Sequence, residues 1–258
     1  MTIHEFGKEN DKVMLLIHPS AVMWDYFEYV IPLLEKKYHL IVPALPGYDT
    51  LTGEDYTSVE DIADRLADWL IAHGHGEIEC IYGCSMGGAI VLRILAERRI
   101  KAKNAVIDGG VTPYQLPWLV TRAIAVKDFL LIYAGKLGGM KLLQKAFASD
   151  EYTGDDLKYI VDVLHMMSAK TVWRTFESCN NFSMPEVIDA SDVNMEYWFA
   201  EKEIGERKAD MAYVRKHFPH CRFRRFHDIG HGGLAVCKPE LFVKGITLIC
   251  EGLGQGKG

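Results

Sequence analysis

Several features that would indicate other classes of protein are missing from this sequence of 258 residues. The longest apolar run near the start, from Val13 to Ile17, is too short for a signal peptide or a membrane span. The net charge of -6 gives no basic field that would attract a phosphate backbone. We therefore expect a cytoplasmic protein that binds neither nucleic acid nor membrane.

The six cysteines contain no C-x-x-C pair, so they indicate neither a disulfide framework nor a zinc site. A glycine-rich dinucleotide fingerprint is missing, and no cluster of metal ligands is visible along the chain. We therefore expect no cofactor and no metal. The sequence leaves the oligomeric state open, a homodimer included.

Short apolar runs alternate with amphipathic stretches, which is typical of a mostly parallel sheet flanked by helices. With 49% hydrophobic residues the chain can bury a large core. The strands are predicted at 12–18, 39–42, 79–82, 103–107, 194–199 and 221–226. The helices of this core are predicted at 23–37, from a cap at Ser58 to Gly74, and at 89–98, 207–217 and 239–251.

From about residue 112 to residue 189 the pattern becomes helical without strands, and helices are predicted to begin near Pro117, Lys136, Thr153 and Ala169. We interpret 112–189 as a cap inserted into an α/β core formed by 1–111 and 190–251, with a flexible tail at 252–258. The cap favours an apolar pocket, although none of its large side chains is assigned to substrate. These side chains are Tyr114, Leu116, Trp118, Tyr133, Met140, Met166, Met167, Trp173 and Phe176.

A candidate nucleophile lies in the stretch Gly83–Gly87 (GCSMG), which fits the pattern G-x-S-x-G directly after a predicted strand and before a predicted helix. A serine hydroxyl needs a base, an acid that orients the base, and donors for the oxyanion. Among ten histidines, His231 has the best setting, because it follows the last strand in a loop whose glycines allow it to approach Ser85. Ser85 and His231 are therefore predicted as nucleophile and base.

From about Val13 to Glu251 the chain resembles the α/β-hydrolase family. The segment 18–20 (HPS) is similar to its oxyanion segment, 43–48 (PALPGY) to the stretch after its next strand, and 230–232 (GHG) to its histidine loop. The resemblance implies an α/β fold with a mostly parallel, eight-stranded sheet and a helical cap after the sixth strand. It also implies the chain order nucleophile, acid, histidine.

The oxyanion segment departs from the family pattern, because Pro19 stands where glycine is usual and proline has no N–H to donate. The backbone N–H groups of Ser20 and Met86 are therefore predicted as the oxyanion donors.

The residues 194–203 resemble the family's strand followed by G-x-x-D, which implies Glu203 as the acid that orients His231. An aspartate or a glutamate at this position can hold the imidazole in the required tautomer. The neighbouring Glu201 and Asp108, at the end of the sixth strand, stay open as alternatives.

These residues predict a serine hydrolase, a carboxylic ester hydrolase, that cleaves a small, moderately apolar acyl substrate through an acyl-enzyme on Ser85. The same residues serve carbon–carbon bond, thioester and lactone hydrolysis and acyl transfer, so the resemblance does not select one reaction. A ligand-binding receptor or scaffold that has lost turnover is the alternative from another class. Epoxide hydrolases and haloalkane dehalogenases of this family use an aspartate at the position of Ser85, so their chemistry is disfavoured.

Overall fold

The computed structural model describes residues 1–114, 116–146 and 154–252, without the side chains of 139–146, 154 and 157. Within these ranges seven strands form one sheet in the order β1-β3-β2-β4-β5-β6-β7. Strand β1 is antiparallel to β3, and every other neighbouring pair is parallel. The strands are β1 (Thr2–Phe6), β2 (Val13–Ile17), β3 (His39–Ala44), β4 (Glu77–Cys84), β5 (Lys101–Asp108), β6 (Asn194–Ala200) and β7 (Arg222–Phe226).

The described helices alternate with these strands outside the cap. They are α1 (Ile31–Leu34), α2 (Val59–Ala72), α3 (Met86–Glu97), α4 (Trp118–Ala146), α5 (Gly154–Met166), α6 (Ala169–Cys179), α7 (Lys208–His217), α8 (Leu234–Cys237) and α9 (Pro239–Cys250). Two 3₁₀ turns cover Trp24–Phe27 and Glu201–Glu203. The predicted cap of α2 is confirmed, because the Ser58 side chain accepts a hydrogen bond from the N–H of Asp61 at 3.1 Å.

The sheet differs from the eight strands that the resemblance implied. One strand, β1, precedes β2 in the described residues, so the cap follows the fifth strand of this sheet instead of the sixth. The sequence patterns did not reveal β1, because all five of its residues are half-buried at the edge of the sheet and show no apolar alternation.

Several predicted elements have different bounds in the structure, and in three cases an element is divided, extended through a proline or joined to its neighbour. The helix predicted at 23–37 is divided into a 3₁₀ turn and α1, since Pro32 fits the first turn of a new helix but not the interior of a long one. The strand predicted to stop at Val42 continues through Pro43, which pairs with Ile3 of the edge strand. The helix predicted to begin near Lys136 is the second half of α4. The helix start predicted near Thr153, the side chain of Met140 and the tail beyond Gly252 lie outside the described residues.

Helices cover both faces of the sheet. Along β2, Val13, Leu15 and Ile17 belong to one apolar cluster, whereas Met14 and Leu16 belong to the other. The first cluster includes side chains of α2, α3 and α7, and the second those of α1 and α9. A central parallel strand buried on both faces is continuously apolar, which explains why β2 reads as an unbroken run in the sequence.

The cap between β5 and β6 contains α4, α5 and α6. Its last helix, α6, is fixed to the core by hydroxyl groups that accept from backbone N–H groups. Thr171 Oγ1 accepts from Tyr56 N–H at 3.1 Å, and Ser178 Oγ accepts from Val59 N–H at 2.8 Å. Of the helices in the described residues, none combines the length and apolar character that crossing a bilayer requires.

Candidate active site

Ser85 lies on a sharp turn between β4 and α3. Its backbone has φ 50° and ψ −110°, a region that non-glycine residues seldom adopt and that costs about 1–3 kcal/mol. The N–H of Ser85 donates to the carbonyl of Asp108 at 2.8 Å, which holds the turn against the end of β5. The strand, turn and helix around Ser85 are thus arranged as the G-x-S-x-G pattern predicts.

The flanking glycines allow this turn by permitting close backbone contacts. A Cβ on Gly83 would lie 2.2 Å from the carbonyl oxygen of Gly87, and a Cβ on Gly87 would lie 2.3 Å from that of Ile17. Both neighbours are backbone atoms, so they cannot move aside as a side chain could. The first turn of α3 therefore packs directly on the ends of β4 and β2.

His231 and Glu203 contact each other through a short hydrogen bond. His231 Nδ1 lies 2.6 Å from Glu203 Oε2, and Glu203 Oε1 accepts from the N–H of Ala200 at 2.8 Å. Burial alone would raise the pKa of Glu203, but the hydrogen bonds from His231 and Ala200 and the charge of Arg207 outweigh it, so its pKa lies below the ordinary value. Glu203 is therefore an ionised carboxylate on Nδ1 of the imidazole.

The other two candidate acids bind elsewhere. Glu201 is half-exposed and bonds to His227 Nδ1 at 2.9 Å. Asp108 is buried, and its Oδ2 accepts from the hydroxyl of Tyr82 at 2.7 Å. Burial raises the pKa of Asp108 to about 6. Of the three carboxylates, Glu203 is the one that the structure brings into hydrogen-bond contact with His231.

Gly109 brings the histidine ring to the end of β5. Its φ is +55°, and a Cβ there would lie 2.8 Å from both Nδ1 and Cε1 of His231. Gly109 directly follows Asp108, the residue that anchors the N–H of Ser85. In the same loop as His231, the carbonyl of Gly232 accepts a hydrogen bond from the hydroxyl of Tyr26 at 2.7 Å. The turn that carries Ser85 and the loop that carries His231 therefore meet at the end of β5.

The oxyanion segment is oriented by a buried histidine. His18 Nδ1 lies 2.8 Å from the carbonyl oxygen of Pro19, and His18 Nε2 lies 3.4 Å from the backbone N of Leu45. Because a carbonyl can only accept, Nδ1 donates and Nε2 is the acceptor. Burial lowers the pKa of His18 to about 4, which keeps the ring neutral. The C=O and N–H of a trans peptide point in opposite directions, so the N–H of Ser20 points away from His18.

Met86 is the first residue of α3. The first four N–H groups of a helix have no intrahelical partner, so the N–H of Met86 is available to an anion. Met86 and Ser20 line the same cavity as Ser85. The two predicted oxyanion donors and the predicted nucleophile are thus together at one cavity.

This cavity has a volume of about 210 Å³ and a mixed lining. Of the large cap residues singled out in the sequence, Tyr114 and Phe176 line it, whereas Trp118 is 65% exposed at the surface. The expected apolar pocket is therefore more polar than predicted. Besides Ser20, Ser85 and Met86, its lining residues are Val111, Tyr114, Asp128, Thr175, Phe176, Cys179, Asn180 and Arg207.

Arg207 is a charged cavity residue that sequence reasoning missed, as is Asp128. It lines the cavity, and its Nε lies 3.8 Å from Glu203 Oε2 while its Nη1 donates to Asp210 Oδ2 at 3.1 Å. Asp210 is held in turn by the N–H and the hydroxyl of Thr112, both at 2.8 Å. The i,i+4 spacing of Glu203 and Arg207 was the available signal, but it indicates an ion pair only when both residues are known to lie in a helical turn.

The mostly parallel sheet, the serine on a strained strand-to-helix turn and the late histidine bonded to a carboxylate define the class of α/β hydrolases. The chain belongs to the alpha/beta hydrolase family, whose sequence model matches residues 14–228.

Individual relatives are similar to the chain at low sequence identity. The chain is 28% identical over 143 residues to the magnesium-chelatase 30 kDa subunit of Rhodobacter capsulatus, a match that covers 52% of this chain and 49% of that protein. It thus spans about half the length of that relative.

Two solved structures cover nearly the whole chain. MenH from S. aureus is 15% identical with a TM-score of 0.75 and covers 97% of both chains. A structure from a study of carboxylesterases of Nitrososphaera gargenis is 16% identical with a TM-score of 0.74, and covers 97% of this chain and 95% of that one. At these identities the two structures show a common fold.

Proposed function

We propose that this protein is a serine hydrolase that cleaves small ester-like substrates through an acyl-enzyme on Ser85. The observation that carries the proposal is the 2.6 Å contact between Glu203 Oε2 and His231 Nδ1. A carboxylate on Nδ1 fixes the tautomer in which Nε2 is the base, and it stabilises the imidazolium that forms. The strained turn at Ser85 supports the same reading, because it lifts the hydroxyl away from the sheet.

In the proposed reaction, Ser85 Oγ attacks the carbonyl carbon while its proton passes to Nε2 of His231. The N–H groups of Ser20 and Met86 stabilise the resulting oxyanion. The imidazolium then protonates the leaving oxygen as the carbon–oxygen bond breaks. A water molecule, deprotonated by His231, attacks the acyl carbon and releases the carboxylic acid, and the proton returns to Ser85.

The cavity supports a short substrate with both apolar and polar parts. Its volume of about 210 Å³ is below the usual range for drug-sized ligands. Val111 and Phe176 offer apolar surface, whereas Asn180 and Arg207 offer hydrogen-bond donors. We therefore expect short acyl groups to be accepted better than long ones.

A ligand-binding protein without turnover is the competing interpretation. Loss of catalysis usually removes a member of the triad, whereas here the Glu203–His231 hydrogen bond is intact and Ser85 keeps its strained backbone. These contacts favour an active enzyme. Thioester, lactone and carbon–carbon bond hydrolysis and acyl transfer use the same catalytic groups. An experimental comparison of substrates is therefore needed to identify the bond that is cleaved.

The test is hydrolysis of p-nitrophenyl esters of increasing acyl length, with a thioester and a lactone of matched size in the same panel. We expect kcat/KM to be highest for the short acyl groups and to fall to the uncatalysed level in Ser85→Ala. Rates for the parent that equal those of Ser85→Ala on every substrate would refute the proposal.

A further inference from the structure

A second cluster of reactive side chains lies at the opposite end of the sheet from Ser85. It consists of Glu5 on β1, His39 at the start of β3, and His75 in the loop between α2 and β4. One ligand atom from each residue can be chosen so that all three lie within 4.8 Å of one another. Because β3 runs parallel to β2, and β2 to β4, this cluster is at the amino end of the parallel strands, whereas Ser85 follows their carboxyl end.

The three side chains already contact one another. His39 Nε2 lies 3.0 Å from Glu5 Oε2, and the rings of His39 and His75 meet edge to face with centroids 5.2 Å apart. His39 is buried, with 7% of its surface exposed. Within the described part of the chain, the His75 ring has no hydrogen-bond partner. One of its ring nitrogens lies close enough to ligand atoms of Glu5 and His39 to share an ion with them.

We propose that Glu5, His39 and His75 bind a divalent transition-metal ion of the zinc class, with solvent as a fourth ligand. Two imidazoles and one carboxylate are a ligand set that Zn²⁺ prefers, whereas Ca²⁺ and Mg²⁺ require mostly oxygen ligands. Bonds of about 2.0–2.1 Å place the ligands of a tetrahedral zinc ion roughly 3.3 Å apart, so side-chain shifts of about 1 Å complete the site.

A neighbouring lysine limits the affinity of this site. Lys8 Nζ lies 2.7 Å from Glu5 Oε1, the oxygen that does not contact His39, and the Lys8 side chain is 64% exposed. The ammonium group contacts Oε1 only, so Oε2 can still bind a metal. Its positive charge nevertheless repels a divalent cation. We expect Lys8→Met to tighten Zn²⁺ binding, because it removes this repulsion without removing a ligand.

The site joins β1 and β3, which pair at the edge of the sheet, to the loop before β4, an interior strand that pairs with neither of them. A metal here connects the edge strand β1 to β3 and to the loop that leads into β4. Binding to the folded state alone raises stability in proportion to the logarithm of metal concentration. Since the cluster and Ser85 lie at opposite ends of the strands, we expect Zn²⁺ to change thermal stability and not ester turnover. The proposal does not depend on the proposed hydrolase function.

The experiment is Zn²⁺ titration of the untagged full chain, followed by calorimetry and by thermal unfolding. We expect one Zn²⁺ per chain and a rise in Tm of roughly 5 °C at one hundred times the Kd. In Glu5→Gln and His75→Gln we expect affinity to fall more than about 100-fold, since even outer-shell partners contribute about 10–100-fold. His75 is in a loop, so His75→Gln tests the site even if substitution of buried His39 prevents folding.

His73→Gln is the matched control, because His73 is in the same loop but lies outside the cluster, with its Nδ1 bonded to the carbonyl of Trp69 at 2.8 Å. We expect this variant to bind Zn²⁺ like the parent. The absence of a Tm shift in the parent, or an equal shift in His75→Gln, would overturn the proposal.

Discussion

Three carboxylates lie near the ends of β5 and β6, and their surroundings give them different properties. Glu203 is buried but accepts hydrogen bonds from His231 and from the N–H of Ala200, so it stays ionised. Asp108 is buried with the Tyr82 hydroxyl as its donor, and burial raises its pKa to about 6. Glu201 is half-exposed to solvent. The hydrogen-bond partners and the burial of the three side chains therefore identify Glu203 as the carboxylate suited to orient His231.

The first prediction concerns this assignment. Glu203→Gln should lower kcat by roughly 10³–10⁴-fold, because an amide in this position no longer fixes the reactive tautomer or stabilises the imidazolium. Glu201→Gln is the matched control, with the same chemical change two positions away, and should keep the parent kcat. Steady-state hydrolysis of the best p-nitrophenyl ester measures both. Parent-like turnover in Glu203→Gln, or a larger loss in Asp108→Asn, would show that the acid is misassigned.

Gly109 leads to a second prediction. An added methyl group would meet the imidazole of His231 at 2.8 Å and Glu203 Oε1 at 3.3 Å, so Gly109→Ala should displace the ring and lower kcat at least about 100-fold. Gly205→Ala is the control, because a Cβ there meets no atom within 4 Å. Circular dichroism at the assay temperature verifies that both variants are folded. Equal turnover in the two variants would contradict the close approach of His231 to Gly109.

His18 makes stability dependent on pH. Its pKa is about 4 in the folded protein, below the ordinary value of 6.5, so the unfolded chain binds the proton more readily. The stability that neutral His18 provides is fully present above pH 6.5 and is lost as the pH falls towards 4, by about 3 kcal/mol in total.

The measurement is urea unfolding of the parent and of His18→Gln at pH 7.5 and pH 4.5. The variant should be less stable at pH 7.5, but it should lose less stability between the two values, because glutamine does not titrate. His220→Gln, at an exposed position, controls for the loss of a histidine. An identical pH dependence in parent and His18→Gln would contradict the account of His18 as a buried neutral group.

Some of these residues could be predicted from the sequence and others could not, for a physical reason. Ser85 and His231 each lie in a short segment in which the glycines and the flanking strand are neighbours in the sequence. Local sequence patterns are therefore enough to predict them. The roles of Gly109 and Arg207 depend on contacts between β5, the histidine loop and the turn after β6. Such contacts are set by the packing of distant elements, and no local pattern reports them.

At the scale of elements, α6 is the part of the cap most firmly joined to the core. Along one face, at i, i+4 and i+7, its hydroxyl groups bind the segment between β3 and α2 and the first residue of α2. Thr171 accepts from the N–H of Tyr56, Thr175 shares a hydrogen bond with the hydroxyl of Tyr48, and Ser178 accepts from the N–H of Val59. Since Thr175 also lines the cavity beside Ser85, this face fixes one wall of the candidate active site.

Removal of one of these hydroxyl groups should destabilise the whole protein. Thr171→Val keeps the shape of the side chain but leaves the buried N–H of Tyr56 without its acceptor, which should reduce the free energy of unfolding by about 1–3 kcal/mol. Thr52→Val, the same change at an exposed position, should have an effect of about 0.5 kcal/mol or less. Urea unfolding compares them. If the two variants are equally stable, the hydroxyl of Thr171 does not hold α6 to the core.

Element boundaries were predictable where caps and apolar periodicity agree, as at Ser58 and α2. They failed where tertiary contacts override local signals. In α4, Lys136 lies within a continuous helix that contains no proline, and its ammonium group donates to the carbonyls of His165 and Met167 at the end of α5. Interior glycines cost only about 1 kcal/mol each, so they do not by themselves end the helix.

At the scale of the whole molecule, the two ends of the sheet carry different chemistry. The carboxyl ends of the parallel strands bring Ser85, Glu203 and Gly109 together, as expected for a ligand site in an α/β fold. The amino end brings together Glu5, His39 and His75. The first site follows family patterns in the sequence, whereas the second combines residues from separate elements and could be found only from the fold.

The central claim is that Ser85 is an activated nucleophile. Fluorophosphonate labelling, followed by intact-mass measurement and peptide mapping, tests it most directly, because the probe requires an activated serine but no knowledge of the substrate. The account predicts one adduct per chain on Ser85, none in Ser85→Ala, and much slower labelling in Glu203→Gln than in Glu201→Gln. A folded parent protein that remains unlabelled, or that carries the adduct on another residue, would contradict it.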